Sequence, residues 1–183
     1  TNNETYFFRE TTQFEALLEE IRSRQRDGRP ATHLRILSAG CSSGEEPYTL
    51  NIFLRRAFGA DDSMPEIEGI DLDAERLAMA RTACYGRSSL RALDETQIAR
   101  FFVEEDAGWC LRGRWRDNVR FSPGNLLERT SVVRFGPFDA LFCRNVLIYF
   151  SEPALKQAIQ IFADAVRPGG LLFLGHSESI IGL

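Results

Sequence analysis

Short apolar runs alternate with helix-spaced apolar positions along most of this chain. The apolar runs predict five strands, near residues 34–39, 66–71, 119–122, 138–143 and 171–175. Apolar residues spaced three and four apart predict the main helices, over residues 12–26, 46–58, 74–83 and 152–166. Strands that alternate with helices are typical of α/β proteins. The pattern therefore predicts a Rossmann-like α/β domain with a mainly parallel sheet.

The alternation of strand and helix is interrupted over residues 85–120. A short helix from Asp94 to Phe102 is followed by glycine-punctuated alternation, which is typical of an antiparallel hairpin or meander. We expect a small inserted β-subdomain at 85–120, between two halves of the main domain at 1–84 and 121–183, the second of which lacks the end of the sheet. Its aromatic and basic residues are candidates for a protein-binding face, with a solvated hairpin as the alternative: Trp109, Trp115, Arg112, Arg114 and Arg116.

The turn after the first strand carries two glycines and two carboxylates. It reads Gly-Cys-Ser-Ser-Gly-Glu-Glu from Gly40 to Glu46. A dinucleotide site would read G-x-G-x-x-G, and a P-loop would carry a lysine. Carboxylates at a helix N-terminus repel phosphate, so the turn favours a ligand with a cationic end and no phosphate, such as S-adenosylmethionine (SAM). Glu45 is the candidate contact, with capping of the helix dipole as its alternative role; for Glu46 the capping role is the favoured interpretation.

Acidic residues also follow the second predicted strand. Asp71 stands where such folds bind ribose hydroxyls, and a carboxylate accepts two hydrogen bonds from a diol. Asp73 is expected to be the N-cap of the helix that starts near Ala74.

Composition narrows the class of protein. The chain has 183 residues, of which 44% are hydrophobic and 26% charged, as in ordinary globular domains. Its net charge of −4 gives no sign of nucleic-acid binding, and no apolar run is long enough for a membrane span. Four widely spaced cysteines without C-x-x-C indicate free thiols in a reducing cytoplasm, and with only two histidines no metal site is expected. The chain carries no signal peptide and starts with Thr, so we expect an excised or processed fragment.

Four segments, in this order and spacing, resemble the chemoreceptor glutamate O-methyltransferase family of the CheR type. They are Asn3-x-Thr5-x-Phe7-Phe8-Arg9, the turn from Ala39 to Tyr48, Phe142-Cys143-Arg144-Asn145-Val146-Leu147-Ile148-Tyr149-Phe150, and Gly175-His176-Ser177-Glu178. The resemblance covers nearly the whole chain. It implies a class I SAM-dependent methyltransferase fold with a small inserted antiparallel subdomain. It also implies conversion of receptor glutamates into methyl esters during bacterial chemotactic adaptation, with S-adenosylhomocysteine (SAH) as the product.

The resemblance also implies roles for single residues. Residues matching the family's SAM contacts are Asn3, Thr5, Ala39, Glu45, Asp71, Asn125, Leu126, Asn145 and Val146. Those matching the residues near the transferred methyl are Arg9 and Tyr149. Phe7 and Phe8 are expected to pack, and His176 to support a loop, because methylation of a carboxylate removes no proton.

The resemblance gives expectations about partners as well. The substrate would be the cytoplasmic helices of chemoreceptors, and the enzyme a cytoplasmic monomer. Members that grip a receptor's C-terminal pentapeptide tether have an Arg-Gly-x-Gly-like loop in the β-subdomain. Here the matching stretch, 104–108, reads Glu-Glu-Asp-Ala-Gly and is shorter, which implies independence of the tether.

Other functions stay open at this point. A methyltransferase for small carboxylic acids would use the same cofactor site, although an inserted subdomain suits a protein substrate better. A non-catalytic module that senses SAM or SAH would keep the turn, but it would have no need of Arg9 and Tyr149. A NAD-dependent dehydrogenase is disfavoured because the turn lacks G-x-G-x-x-G.

Overall fold

A computed structural model describes residues 5–28, 33–59 and 64–178. Every main element predicted from the hydrophobic pattern is present, close to its predicted bounds. The helices are α1 Thr12–Arg26, α2 Glu45–Phe58, α3 Ala74–Thr82, α4 Glu95–Phe101, α5 Arg129–Val133 and α6 Glu152–Ala165. The strands are β1 Arg35–Ala39, β2 Glu66–Asp71, β3 Cys84–Tyr85, β4 Phe102–Glu105, β5 Gly108–Leu111, β6 Val119–Pro123, β7 Phe138–Cys143 and β8 Val166–Leu174.

The main sheet has five parallel strands in the order β6-β2-β1-β7-β8. The chain builds outward from β1 through β2 to β6, and then crosses to β7 and β8 on the other side of β1. At such a reversal the connections after neighbouring strands diverge and leave a crevice at their carboxyl ends, where open α/β sheets bind ligands. The predicted α/β fold is confirmed, and this topology places the crevice next to the Gly40 turn.

Helices cover both faces of this sheet. On one face α1 buries four apolar residues in a cluster that includes Ile36 of β1 and Phe142 of β7: Phe14, Leu17, Leu18 and Ile21. On the other face α6 buries Phe162 in a cluster that includes Leu141 of β7. All six residues of β7 are buried, as expected for a strand that is covered on both sides.

The interrupted stretch holds a separate antiparallel sheet of three short strands in the order β3-β5-β4. The N-terminal lead is tied to it by Phe7, whose ring meets those of Tyr85 and Phe102 edge-on, each at a centroid distance of 4.9 Å. Phe7 is fully buried, and Phe8 lies 5.8 Å from the ring of Phe101. The expected packing role of both residues is therefore confirmed, and the lead is fixed immediately before Arg9.

Trp115 does not belong to a surface face, so that expectation is wrong. Its side chain is buried and meets Phe101 edge-on at 5.3 Å, within a buried cluster that also contains Tyr85 and Phe102. The Arg114 guanidinium lies over the same indole ring at 4.7 Å. Trp109 is partly exposed, with the guanidinium of Arg87 at 5.3 Å from its ring.

The expectation of four free thiols is also wrong. Cys84 of β3 and Cys110 of β5 lie directly opposite each other in the antiparallel pairing and are joined by a disulfide. Their 26-residue separation gave no sign of this pairing in the sequence. Cys41 and Cys143 are free thiols, and both are buried.

Residues 167–170, which separate the predicted helix over 152–166 from the predicted strand near 171–175, lie within the bounds of β8. The pairing of β7 with β8 passes from Phe138 opposite Val166 to Ala140 opposite Leu171, so the intervening residues bulge out of the ladder. Gly169 has φ +77°, which glycine adopts without steric cost.

Within the described parts of the chain, none of the helices combines the length and the apolar character that a bilayer crossing requires.

Candidate active site

A cavity of about 230 Å³ opens at the carboxyl ends of β1 and β7. The Gly40 turn, the N-terminal lead and the segment after β7 form its walls. Four residues predicted as site residues line it: Thr5, Arg9, Asn145 and Tyr149. The other lining residues are Tyr6, Phe14, Gly40, Cys41, Ser42, Glu46, Thr49, Arg144 and Ile148. The fold thus brings together segments that lie more than a hundred positions apart in the sequence.

The turn owes its course to Gly40. This glycine has φ +79°, and its N–H and that of Cys41 donate to the carbonyl oxygen of Ile70 at 2.8 and 3.0 Å. A Cβ at position 40 would lie 2.6 Å from Cγ2 of Val146. The close approach of the turn to the segment after β7 therefore requires glycine at this position.

Asp71 joins the end of β2 to the turn. Its Oδ2 accepts the N–H of Ser42 at 2.7 Å, and its Oδ1 accepts the N–H of Asp73 at 2.9 Å. Asp73 is the N-cap of α3, as predicted, because its side chain accepts the N–H groups of Glu75 and Arg76. Asp71 thus stands beside the turn, and its contact with a ribose stays a prediction.

Glu45 lies beneath the turn and is not part of the cavity wall. Its carboxylate is buried and accepts the hydroxyls of Ser43 at 2.8 Å and Ser89 at 2.9 Å. Burial raises the pKa of the Glu45 carboxyl, and the two serine hydroxyls act in the opposite direction. Ser89 belongs to the β-subdomain, so the subdomain helps to hold the predicted SAM contact. The sequence gave no sign of this serine.

Glu46 lies in the first turn of α2, where the capping interpretation places it, but its side chain also has specific partners. Its side chain accepts the hydroxyl of Ser38 at 2.8 Å and Nη1 of Arg144 at 3.2 Å, and it lines the cavity. Burial raises the pKa of the Glu46 carboxyl, while the positive charge of Arg144 lowers it. The Glu46 carboxylate points into the protein because its partner, Arg144, directly follows the end of β7.

Arg144 has no role predicted from the sequence, yet it lines the cavity. Its side chain is 2% exposed. Besides Glu46 it contacts the N-terminal lead, where it donates to the carbonyl oxygen of Arg9 at 2.9 Å and to the carboxylate of Glu10 at 3.0 Å.

Arg9 and Tyr149 stand at the mouth of the cavity. The Arg9 guanidinium lies 3.9 Å from the Glu10 carboxylate and 5.7 Å from the ring centroid of Tyr6. Tyr149 ends a short 3-10 turn after β7 and is 54% exposed. Both side chains therefore face the space that a substrate group would have to enter.

Among the residues that the structure describes, the remaining predicted contacts do not line the cavity. Asn125 uses its side chain locally, where Oδ1 accepts the N–H of Leu127 at 3.0 Å. Ala39 and Leu126 are buried in the core, and Val146 packs against the same cluster. Asn3 lies outside the described residues. Cofactor contacts by all of these residues stay predictions.

Glu178, rather than His176, supports the loop after β7. Its carboxylate accepts four backbone N–H groups, those of Asn145, Val146, Leu147 and Gly175, at 2.6–3.0 Å. His176 is exposed. The sequence motif that contains both residues indicated a supporting role for this segment, but it did not show which of the two residues supports the loop.

The parallel sheet, the glycine turn and the acidic residues after β1 and β2 define a Rossmann-like domain of the class I SAM-dependent methyltransferases. Solved structures share this fold. The glycopeptide N-methyltransferase MtfA, complexed with SAM, matches 95% of this chain and 57% of its own with a TM-score of 0.51 and 14% identity. The methyltransferase domain of bacterial CtHen1 matches 88% of this chain and 64% of its own with a TM-score of 0.51 and 18% identity.

A family model described as CheR methyltransferase, SAM binding domain, matches residues 3–183, so this chain belongs to that family. It is 39% identical to chemotaxis protein methyltransferase 2 of Vibrio cholerae, over 98% of this chain and 63% of the relative. It is 38% identical to the chemotaxis protein methyltransferase of Salmonella typhimurium, over 100% of this chain and 62% of the relative. The chain thus spans about three fifths of the length of these relatives.

Proposed function

We propose that this chain is the catalytic domain of a SAM-dependent protein-glutamate O-methyltransferase that modifies bacterial chemoreceptors. The observation that carries the proposal is the cavity itself. It has Arg9 and Tyr149 at its mouth, Gly40 in its wall, and the carboxylates of Glu45 and Asp71 close to the turn. Such a chain would produce SAH and a receptor methyl ester, which tunes signalling during adaptation.

The residues present fit a SAM molecule. Gly40 lets the turn pass close to Val146 beside the cavity, and the acidic residues after β1 and β2 carry acceptor oxygens suited to an ammonium group and to ribose hydroxyls. When bound, the cofactor supplies a methyl group activated by its sulfonium. By resemblance, Thr5, Ala39, Asn125, Leu126, Asn145 and Val146 would complete its site, together with Asn3.

The chain's own residues would then need only to bind and orient the acceptor. A glutamate side chain has a pKa of about 4.3, so it is ionised at neutral pH and needs no general base. Arg9 would hold this carboxylate by charge-assisted hydrogen bonds, and the Tyr149 hydroxyl would steady it. Orientation of this kind can lower the activation free energy by roughly 7–11 kcal/mol.

The decisive experiment measures where the methyl group goes. The full-length protein is incubated with methyl-tritiated SAM and a recombinant cytoplasmic fragment of a chemoreceptor, and the product is then treated with base. Glutamate methyl esters release volatile tritiated methanol under base, whereas N-methyl groups do not. Base-labile label on the fragment supports the proposal, and label on free small acids alone would favour a small-molecule methyltransferase.

A calorimetric titration with SAH separates cofactor binding from catalysis. Binding that Asp71→Ala weakens, with no transfer to any acceptor, would favour a SAH-sensing module instead. Arg129→Lys, a change at an exposed residue of α5, is the matched control and should leave binding as it is.

The partner proposal concerns the inserted subdomain. We propose residues 85–120 as the face toward receptor helices, and a monomeric enzyme in the cytoplasm that does not need the receptor's pentapeptide tether. Support comes from the short connection between β4 and β5, in which Glu105 pairs with Gly108 across only two residues. Equal methylation rates for receptor fragments with and without the C-terminal pentapeptide would support tether independence, and a faster rate with it would contradict it.

A further inference from the structure

Arg144 is a buried cation that contacts both α2 and the N-terminal lead. Nη1 donates to the Glu46 carboxylate at 3.2 Å. Nη2 lies 2.9 Å from the carbonyl oxygen of Arg9, 3.3 Å from that of Glu10, and 3.0 Å from the Glu10 carboxylate. The guanidinium also covers the ring of Phe14 at 5.1 Å. The side chain thus links α2 to the backbone on which Arg9 is carried.

This backbone has an uncommon conformation that needs support. The residues on either side of Arg9 both have positive φ, 62° at Phe8 and 49° at Glu10. Bulky residues rarely adopt this region, and they keep it only where the surroundings impose it. On one side Thr49 accepts the N–H of Phe8 at 3.1 Å. On the other side the support comes from Arg144.

A buried ion pair is a poor choice if stability alone is at stake, because apolar residues of the same volume serve as well or better. Lysine would satisfy Glu46 with its charge, but it lacks the planar fork that reaches two carbonyls and a carboxylate together. The geometry therefore suits a positional role for the guanidinium.

We propose that Arg144, held by Glu46, is the positioning residue that sets Arg9 at the mouth of the cavity. The inference rests on the proposed role of Arg9 in holding the acceptor carboxylate. Arg144 acts through the backbone of the lead, since its guanidinium donates to the carbonyl oxygens of Arg9 and Glu10.

The test is a double-mutant cycle in the full-length protein, with Arg144→Lys and Arg9→Ala separately and together. The readouts are kcat for base-labile methylation of a chemoreceptor cytoplasmic fragment and the Kd for SAH. We expect Arg144→Lys to lower kcat by about tenfold or more while the Kd for SAH changes by less than about threefold. In the Arg9→Ala background the same change should have little further effect, because residues that act as one unit are not additive.

Two results would overturn the inference. The first is an equal fall in kcat in both backgrounds, which would mean that Arg144 acts independently of Arg9. The second is a fall in SAH affinity as large as the fall in kcat, which would mean that Arg144 serves the cofactor site. If the parent protein methylates no receptor fragment, the proposed function itself fails, and that outcome is visible before any variant is made.

A folding defect would not end the test. The paired variant Arg144→Met with Glu46→Gln removes the buried ion pair as a unit, and it also lacks the fork. The Glu10 carboxylate, which is partly exposed, keeps the guanidinium of Arg9 at 3.9 Å. It should show the same pattern of lost kcat and retained SAH affinity, and a normal kcat would contradict the inference. Arg129→Lys is the control, since Arg129 is exposed and pairs with Asp164 away from the cavity.

Discussion

The carboxylate of Glu178 accepts the backbone N–H of Val146 at 2.8 Å, across 32 positions of sequence. The same carboxylate also gathers the N–H groups of Asn145 and Leu147 and that of Gly175. Asn145 has φ +60°, so this loop departs from ordinary extended or helical backbone. One partly buried anion therefore holds the backbone of the segment that leads from the cavity wall toward Tyr149.

Glu178→Gln should loosen this loop. The amide keeps one acceptor oxygen but turns an NH₂ group toward backbone donors, and a buried donor left unsatisfied costs about 1–3 kcal/mol. We expect a lower melting temperature and an affinity for SAH weaker by about tenfold, since Asn145 and Val146 lose their support. Glu152→Gln on α6 is the control, because that carboxylate is exposed and pairs only with Lys156 among the contacts described. Unchanged SAH affinity would show that the loop keeps its place without Glu178.

Local patterns in the sequence were enough to predict the helices, the strands and the glycine turn. The apolar run of β7, the cap at Asp73 and the glycine turn at Gly40 each depend on neighbouring residues. The contacts that complete the site, in contrast, join residues that are far apart in the sequence. Arg144 and Glu46 are 98 positions apart, and whether a glutamate at a helix start faces water or an arginine depends on the strand that lies beside it.

Arg9→Ala should lower the methylation rate far more than it lowers SAM affinity. The Arg9 side chain lines the cavity, where an acceptor carboxylate would enter, while Asp71 contacts the turn at Ser42 and does not line this cavity. Loss of a charge-assisted hydrogen bond costs about 1.5–3 kcal/mol, or roughly tenfold to a hundredfold in rate. The measurement compares kcat with the Kd for SAH. Arg26→Ala, at an exposed pair with Glu19, is the control, and equal rates for Arg9→Ala and the parent would remove Arg9 from the mechanism.

Gly40→Ala should abolish or greatly weaken SAH binding. The new Cβ would meet Val146 at 2.6 Å in a backbone that already has positive φ, and overpacking of this kind costs about 1–3 kcal/mol. Gly28→Ala provides a matched control, because Gly28 also has positive φ but has no atom within 4 Å of the added Cβ. Calorimetric titration of both variants checks the prediction. An equal loss of binding in both would mean that backbone strain, and not the approach of Val146, is responsible.

The thiol count provides a direct test of the disulfide. In the absence of reductant the folded protein should expose no reactive thiol, because Cys41 and Cys143 are buried and burial raises the pKa of both thiols. Denaturation alone should reveal two thiols per chain, and denaturation with reductant should reveal four. The measurement is a thiol titration followed by mass spectrometry of alkylated peptides. Four thiols in the unreduced denatured protein would show that Cys84 and Cys110 are not joined.

Glu45 should make stability and cofactor binding respond to pH in opposite directions. Burial raises the pKa of its carboxyl in the folded chain above the unfolded value, so the folded state retains a proton that the unfolded state has released. The stabilisation from this group is complete below the unfolded pKa, and it is lost as the pH rises through the folded pKa. Glu45→Gln should therefore unfold at a higher temperature than the parent at neutral pH, with a smaller difference in acid.

Binding of a cationic ligand end requires the ionised form of the same carboxyl. SAH affinity of the parent should fall as the pH is lowered through the raised pKa of Glu45, and binding in that range should release a proton. In Glu45→Gln the affinity for SAH should be lower at neutral pH and should vary less with pH. The pH dependence that remains in this variant would come from other groups such as Glu46. Calorimetry in two buffers of different ionisation enthalpy counts the protons. Glu19→Gln, at an exposed site, should behave as the parent, and an identical pH profile in Glu45→Gln would exclude Glu45 as the partner of the cationic end.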